Sequence, residues 1–334
     1  MTDALARHPG APPGAPERPS RHAGRLAAIM ARRRRSSVGA SSCSNPREGL
    51  MVKQRFVLPV DPDPCPDLKV ERGPKETGVG RWVPDDKHTL LAKWLGGTRQ
   101  ARAKWPQRVY IDPFCGPGRI QVEGESFTRD GGALVAWRRS QAHGVPFTRM
   151  LIGDIEPERA QACAARLRAL NAPVQEFTGP AAETAPRMAA TVPSGALVLA
   201  YIDPYNLSYL SFGILQALAK LPKVDLLVHF STMDLQRNVD IALDDARARF
   251  DDAAPGWRTH VDHSQMAKVS LREAFFNYWL DAVKKLDFTS ARHMPLIRGD
   301  RNAPLYRLVE FSRHPLANKV WDDVAKPANL ELFG

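Results

Sequence analysis

The 334-residue sequence predicts an α/β fold, a doubly wound and mostly parallel sheet of seven strands that ends in an antiparallel hairpin. Three observations carry this. The apolar runs Leu197 to Ile202 and Val224 to Phe230 read as strands buried on both faces, the habit of parallel sheets. Stretches of helical period separate the strands, as right-handed βαβ crossovers require. Ala291 to Ile297 and Leu305 to Phe311 flank the turn Arg298-Gly299-Asp300-Arg301-Asn302, which gives the hairpin.

The elements follow in order. Lys87 to Leu95 places Leu90, Leu91, Trp94 and Leu95 on one helical face. Arg108 to Ile111 is a strand that runs into Asp-Pro-Phe-Cys-Gly-Pro-Gly, which no helix continues through. Gly132 to Ser140 reads as a helix and Arg149 to Ile152 as the second strand, ending at Asp154. Pro157 suits a first helical position, and Ala160, Cys163, Ala164, Leu167 and Leu170 keep a 3.6 period behind it. Val174 to Phe177 is the third strand, and Leu210 to Leu221 is the helix between the fourth and fifth. Ser231 to Met266 is a charged insertion, of a length that is usually functional or mobile. A helix with Phe276, Trp279, Leu280 and Val283 follows it, and Leu316 to Val324 closes the domain, which spans 85–330 with its insertion at 231–266. Trp82, Trp94, Trp105 and Trp137 sit on or beside apolar faces and are expected in the core.

Composition sets the class. With 43% hydrophobic and 25% charged residues the chain can bury a large core, which excludes a small stapled scaffold. No apolar run approaches the ~18 residues of a membrane span, and none resembles a signal peptide, so a soluble cytoplasmic protein is expected. Cys43, Cys65, Cys115 and Cys163 lie far apart without C-x-x-C spacing, which suggests neither a zinc site nor a disulfide framework. No metal is expected.

The formal net charge of +11 belongs mostly to one end. Residues 1–60 hold eleven Lys and Arg, Arg32 to Arg35 among them, against three acids; the remainder is close to neutral. This segment is rich in Pro, Gly, Ser, Ala and Arg, and reads as a disordered basic tail that ends in a Pro-rich linker, Pro59 to Pro66. A solvated tail, a phosphate-touching arm, a transit-peptide-like leader and an upstream start, with Met30 and Met51 both available, are the alternatives for it.

Four short segments carry chemistry. Asp112, Phe114, Gly116 and Gly118 occupy the first strand-to-helix turn, where open α/β sheets bind ligands. The glycines admit a ligand close to the backbone, and a carboxylate before them suits the ammonium of an amino-acid moiety better than a pyrophosphate. Gln121 stands where the dinucleotide fingerprint wants its third Gly. A turn that merely needs flexible residues is the plainer alternative. Asp154, with Glu156 near it, can accept the ribose hydroxyls of a nucleoside cofactor or cap the helix at Pro157. The third strand exits into Thr178-Gly179-Pro180-Ala181, without a carboxylate for an adenine amino group.

Asp203, Pro204 and Tyr205 are the candidate catalytic residues. A carboxylate and the carbonyls of a Pro-stiffened turn accept hydrogen bonds from an amino group, and Tyr205 offers a ring for a planar base. The run resembles the D-P-P-Y tetrapeptide of amino-methylating nucleic-acid methyltransferases, with one Pro in place of two; a plain strand-ending turn is the alternative. Asp234, Arg237 and Asn238 are candidate substrate contacts beyond the fifth strand, and His229 within that strand reads as a core residue. The hairpin at the end of the sheet is that of a methyltransferase-like sheet, so S-adenosylmethionine is the expected cofactor.

The whole set resembles the three-Cys-motif partner protein family. The resemblance runs from Lys87 and His88 through Tyr110 to Arg119 (YIDPFCGPGR) and Tyr201 to Tyr205 (YIDPY), to Leu305 to Leu316 (LYRLVEFSRHPL). Asn206 stands where the family commonly has Gly, and Pro180 where it has Asp. The resemblance implies a Rossmann-like methyltransferase fold and a partner protein with a three-cysteine, radical-enzyme-like motif. The activity expected is methyl transfer to an amino group of nucleic acid or of a base-like acceptor; a non-catalytic partner or scaffold that keeps the fold is the rival.

Overall fold

The computed structural model describes residues 56–326 except 75, 81–82, 84, 243–249, 263–265 and 300–301. The expected basic tail lies outside the described residues as far as residue 55, and so does Trp82.

The chain builds α1 (Lys87–Gly97), α2 (Arg99–Ala103), β1 (Arg108–Asp112), the small hairpin β2 (Arg119–Gln121) and β3 (Thr128–Asp130), then α3 (Gly132–Ala142) and β4 (Arg149–Asp154). Next come α4 (Pro157–Ala169), β5 (Val174–Thr178), α5 (Ala181–Ala190), β6 (Leu197–Ile202), a 3₁₀ turn at Leu207–Tyr209, α6 (Phe212–Leu218) and β7 (Val224–Phe230). The last third holds α7 (Thr232–Ala242), α8 (Trp257–His260), α9 (Lys268–Lys284), β8 (Thr289–Ser290), β9 (Leu296–Arg298), β10 (Pro304–Ser312) and α10 (Pro315–Val324).

Among the described residues the main sheet has eight strands in the order β5-β4-β1-β6-β7-β10-β8, with β9 beside another part of β10. The five strands from β5 to β7 are parallel, and β10 runs antiparallel to β7. This is the doubly wound, mostly parallel sheet with an antiparallel end that the sequence predicts, with one short strand more. Of the expected strand over 291–297 only its end forms, as β9, while the short β8 pairs just before it. Asp322 of α10 accepts the His293 N–H at 2.8 Å, while Trp321 Nε1 donates to the His293 carbonyl, so that helix takes the backbone groups an unbroken ladder needs.

Alternation along each strand feeds two cores. Val109, Ile111, Val198, Ala200, Ile202, Leu226 and Val228 point to one face, against Met188, Leu215 and Trp279. Tyr110, Met150, Ile152, Leu199, Tyr201 and Leu227 point to the other, against Leu91, Trp94, Leu134, Cys163 and Trp321. Trp94 and Trp137 lie in this second core, while Trp105 is half-buried beneath Lys223. The insertion is anchored rather than loose where it is described. Phe250 and Trp257 are fully buried against Phe275, at ring separations of 5.9 and 5.1 Å, and such buried aromatic pairs add about 0.5–1.5 kcal/mol each beyond area burial.

The expected linker is instead a strap. Arg166 of α4 is fully buried, holds both Asp63 oxygens at 2.9 and 3.0 Å, and donates to the carbonyls of Cys65, Leu68 and Lys69. Arg119 donates to the Asp61 carbonyl, and Arg138 to that of Pro62. Glu71 adds a bridge beside Ile120, exchanging backbone bonds with Arg119 and Gln121 at 2.8 Å. Proline depletes this segment of donors, and arginines from the domain supply the missing ones to its carbonyls.

Candidate active site

The C-terminal ends of β4, β1 and β6, neighbours at the centre of the sheet, each finish in or beside a carboxylate: Asp154, Asp112 and Asp203. All three line one cavity of about 1530 Å³, together with Phe114, Gly116, Gly118, Pro204 and Tyr205. Strand order brings them together: residues in β4, β1 and β6 that are distant in sequence leave the sheet side by side.

Asp112 is buried, accepts the Phe114 N–H at 3.0 Å and the Tyr110 hydroxyl at 3.1 Å. Burial pushes its carboxyl up to about 8, against the Phe114 bond and with help from nearby Asp203. A carboxyl so raised is mostly protonated at neutral pH, and a cation placed beside it would draw that proton off. Asp154 accepts from Gly116 N at 3.1 Å and from Glu156 N at 3.0 Å, so it ties the β1 exit to the β4 exit. The helix cap itself is Glu156, which makes no side-chain cap bond. Burial raises the Asp154 carboxyl, although the backbone bonds and Arg159, at 3.6 Å, work in the opposite sense.

The two glycines serve different purposes. Both have positive φ, 56° at Gly116 and 82° at Gly118. A Cβ at Gly118 would lie 2.8 Å from Leu134 Cδ1 and 3.3 Å from Cys163 Cα, so this glycine lets the loop pack on α3 and α4. At Gly116 the nearest atom is the Arg159 guanidinium at 3.6 Å, which leaves space towards the cavity.

Asp203 is not a bare acceptor. Lys87 Nζ lies 2.7 Å from its Oδ1, and the Tyr201 hydroxyl reaches Oδ2 at 3.4 Å. Burial disfavours the charged carboxylate, but the Lys87 ammonium, together with His229 and His88, more than offsets it and holds the carboxyl below the usual range. Lys87 is fixed in turn, because Asp86 caps α1 through Thr89 N at 2.8 Å and Lys87 N donates to the Tyr306 hydroxyl. Tyr205 is 70% exposed at the rim, with Tyr209 near it and half-exposed Ile155 across the cleft.

The candidate substrate trio is placed differently. Asp234 accepts from Leu207 N at 2.9 Å and from Asn238 Nδ2 at 2.7 Å, which buttresses the turn after β6 from below. Arg237 is exposed, and none of Asp234, Arg237 and Asn238 lines the cavity. Ser231, just before α7, and Met233 in its first turn line the cavity instead. His229, read from sequence as core, lines the cavity, as do Lys87, Tyr306 and the strap residue Glu71, whose carboxylate pairs with Arg159. The K-H pair at the start of α1 and the run Leu305 to Leu316 marked Lys87 and Tyr306 in the sequence, while nothing marked Glu71.

Among the described residues no group of three or more His, Cys, Asp or Glu could hold a metal ion, and Cys65, Cys115 and Cys163 are free thiols. No described helix is long and apolar enough to cross a membrane.

No family model and no curated protein matches the chain. Solved structures do resemble it. An O-methyltransferase of tomaymycin synthesis from Streptomyces achromogenes, in complex with SAM, is 14% identical over 69% of this chain and 91% of that one, with a TM-score of 0.37. An O-methyltransferase from Bacillus cereus in complex with SAH is 8% identical over 68% and 82%, at 0.39. An rRNA methylase from Streptococcus thermophilus is 12% identical over 67% and 92%, at 0.34. At such identities and scores these likenesses bear on neither reaction nor substrate.

Proposed function

We propose that the chain is an S-adenosylmethionine-dependent methyltransferase acting on an amino group of nucleic acid or of a base-like acceptor, in company with a three-Cys-motif, radical-enzyme-like protein. The observation that carries the reading is the convergence of Asp154, Asp112 and Asp203 on one cavity at the strand exits. The partner rests on the sequence resemblance alone.

The residues present fit the cofactor. Asp112, whose buried carboxyl is raised to about 8, becomes a counter-ion when an ammonium group lies beside it. Asp154 is the carboxylate for a ribose, exposed Ile155 gives an apolar face for a base, and Gly116 leaves room beside them. S-adenosylmethionine supplies a methyl group already activated by its sulfonium. The chain therefore has to position the acceptor and keep water out, and the strap, Pro204 and Tyr205 are the parts that do so. Asp203, kept as a carboxylate by Lys87, accepts an N–H of the acceptor and stabilises the charge that develops on its nitrogen.

The test begins with calorimetry of the full chain with S-adenosylmethionine, its demethylated product and NAD. Binding of the first two and not of NAD is expected. Methyl transfer to a panel of nucleic acids and cell extract, with and without the three-Cys protein, then separates enzyme from scaffold. The scaffold reading has one observation of its own, the β5 exit Thr178-Gly179-Pro180, which offers no carboxylate. Cofactor binding without transfer under every condition establishes it.

A further inference from the structure

Beside Asp203 lies a buried nitrogen that nothing satisfies. His229 of β7 is 6% exposed, lines the cavity, and its Nδ1 has no hydrogen-bond partner among the described residues. Asp203 Oδ1 stands 3.8 Å from it, too far for a hydrogen bond. Its ring is held against Tyr306, with centroids 4.3 Å apart, so it cannot turn away to find a partner. An orphaned polar atom of this kind destabilises the fold unless a ligand answers it.

We propose that His229 Nδ1 and Asp203 Oδ1 together accept the two hydrogens of one primary amino group, which makes His229 a specificity-determining residue and a primary amine the acceptor class. This rests on the methyltransferase reading and narrows it. Two acceptors side by side suit a group with two donors. A hydroxyl has one, and would leave either His229 or Asp203 unanswered. The same counting limits the product. When the acceptor nitrogen forms its bond to the methyl carbon, the carbon–sulfur pair goes to sulfur and the nitrogen gives one of its two protons to the Asp203 carboxylate that holds it, from which it passes to solvent. The secondary amine that results has a single N–H, so it cannot satisfy both acceptors again, and one methyl group per acceptor is expected.

The electrostatics agree. Burial holds the His229 ring at about 3, and the Lys87 ammonium of α1 pushes the same way, against Asp203 from the β6 exit. The backbone carbonyls of His229 and Pro204 act with Asp203 in the opposite sense, and Tyr306 of β10, whose own hydroxyl is kept neutral by burial, packs on the ring. The ring is therefore neutral at physiological pH and keeps one unprotonated nitrogen.

The test is nitrogen NMR of the full chain labelled in histidine, with the His229 signals assigned by their loss in His229→Asn and, should that variant not fold, by their displacement in Lys87→Met. At pH 7 Nδ1 should resonate as the unprotonated nitrogen, and Lys87→Met should move the ring's titration upward by about one pH unit or more as the neighbouring cation is removed. An Nδ1 that carries the proton at pH 7 overturns the inference, because the site would then present a donor where a second acceptor is required. Binding of S-adenosylmethionine, measured on the same protein, keeps the two readings apart. If the cofactor does not bind, the methyltransferase reading fails whatever the tautomer; if it binds and Nδ1 is protonated, only the present inference fails.

Discussion

Lys87 Nζ lies 2.7 Å from Asp203 Oδ1, so the first residue of the first helix reaches the exit of the fourth parallel strand. Lys87→Met should cost about 1–3 kcal/mol at pH 7, because it leaves a buried carboxylate without its cation. Since Lys87 holds Asp203 below its unfolded value, the pair stabilises above about pH 4 and its contribution is lost as pH falls through the lower, folded value. Urea unfolding of both proteins should therefore show a gap at pH 7 that closes towards pH 3. A gap independent of pH would mean that the pair is only a packing contact.

Arg166 predicts a second effect. Arg166→Met removes every side-chain donor that holds the carbonyls of Cys65, Leu68 and Lys69, and strands Asp63. A loss of about 3–5 kcal/mol is expected from breaking a buried pair by one partner. Limited proteolysis should cut between residues 61 and 80 before the sheet is attacked. Uniform resistance would show that the strap is held by other contacts.

Gly116 and Gly118 should separate in a substitution series. Gly118→Ala meets Leu134 and the α4 backbone as well as an unfavourable φ, and should destabilise by about 3 kcal/mol or more. Gly116→Ala pays only for its φ, about 1–2 kcal/mol, and should show its main effect in S-adenosylmethionine affinity. Thermal unfolding and calorimetry of the two variants make the comparison.

The far end of the sheet carries a pH-dependent cost. Burial raises the carboxyl of Asp225 to about 6 and that of Glu310 to about 9. Asp225 Oδ1 accepts from Ser312, opposite it on the antiparallel pair, and one oxygen of Glu310 is buried without a partner. Because both folded values lie above the unfolded ones, the contribution of these two groups is fully present below about pH 4 and is lost as pH rises towards 9. Glu310→Gln, which keeps the shape without the ionisation, should flatten this slope and stabilise at pH 8 by at least about 1 kcal/mol. Chemical denaturation across that range is the measurement, and an unchanged slope would place the titration elsewhere.

Tyr205→Ala should change unfolding by no more than about 0.5 kcal/mol, as for an exposed side chain. Its effect belongs to the acceptor, whose binding should weaken while S-adenosylmethionine affinity is unchanged. Loss of cofactor affinity instead would move Tyr205 to the cofactor side of the cleft.

The parallel strands were legible because a strand buried on both faces needs an unbroken apolar run, and Leu197–Ile202 and Val224–Phe230 form with the bounds their residues predict. The three exit carboxylates were legible for a related reason, since a polar residue at the end of such a run has few places to be. The strap was not. Its Pro-rich composition is that of a linker, and what orders it is the donor capacity of Arg166, Arg119 and Arg138, which no local pattern reveals. Asp234 was misplaced because adjacency in sequence to a strand exit says nothing about helix phase, and His229 because an apolar neighbourhood hides a cavity wall.

The strap also has a temporal meaning. Asp63 and Arg166 are 103 residues apart, and Arg159 meets Glu71 across 88, so these contacts close long loops and reward the chain only after α4 has docked on the sheet. They join a core already built, through polar bonds rather than buried apolar area, and such segments open at lower free energy than the strands beneath them. In hydrogen exchange the amides of Glu71, Val79 and Gln121 should lose protection before those of β1 and β6. The chain would then open its cleft to a ligand by a partial unfolding that leaves the sheet intact, on a timescale set by the arginine contacts and not by any hinge.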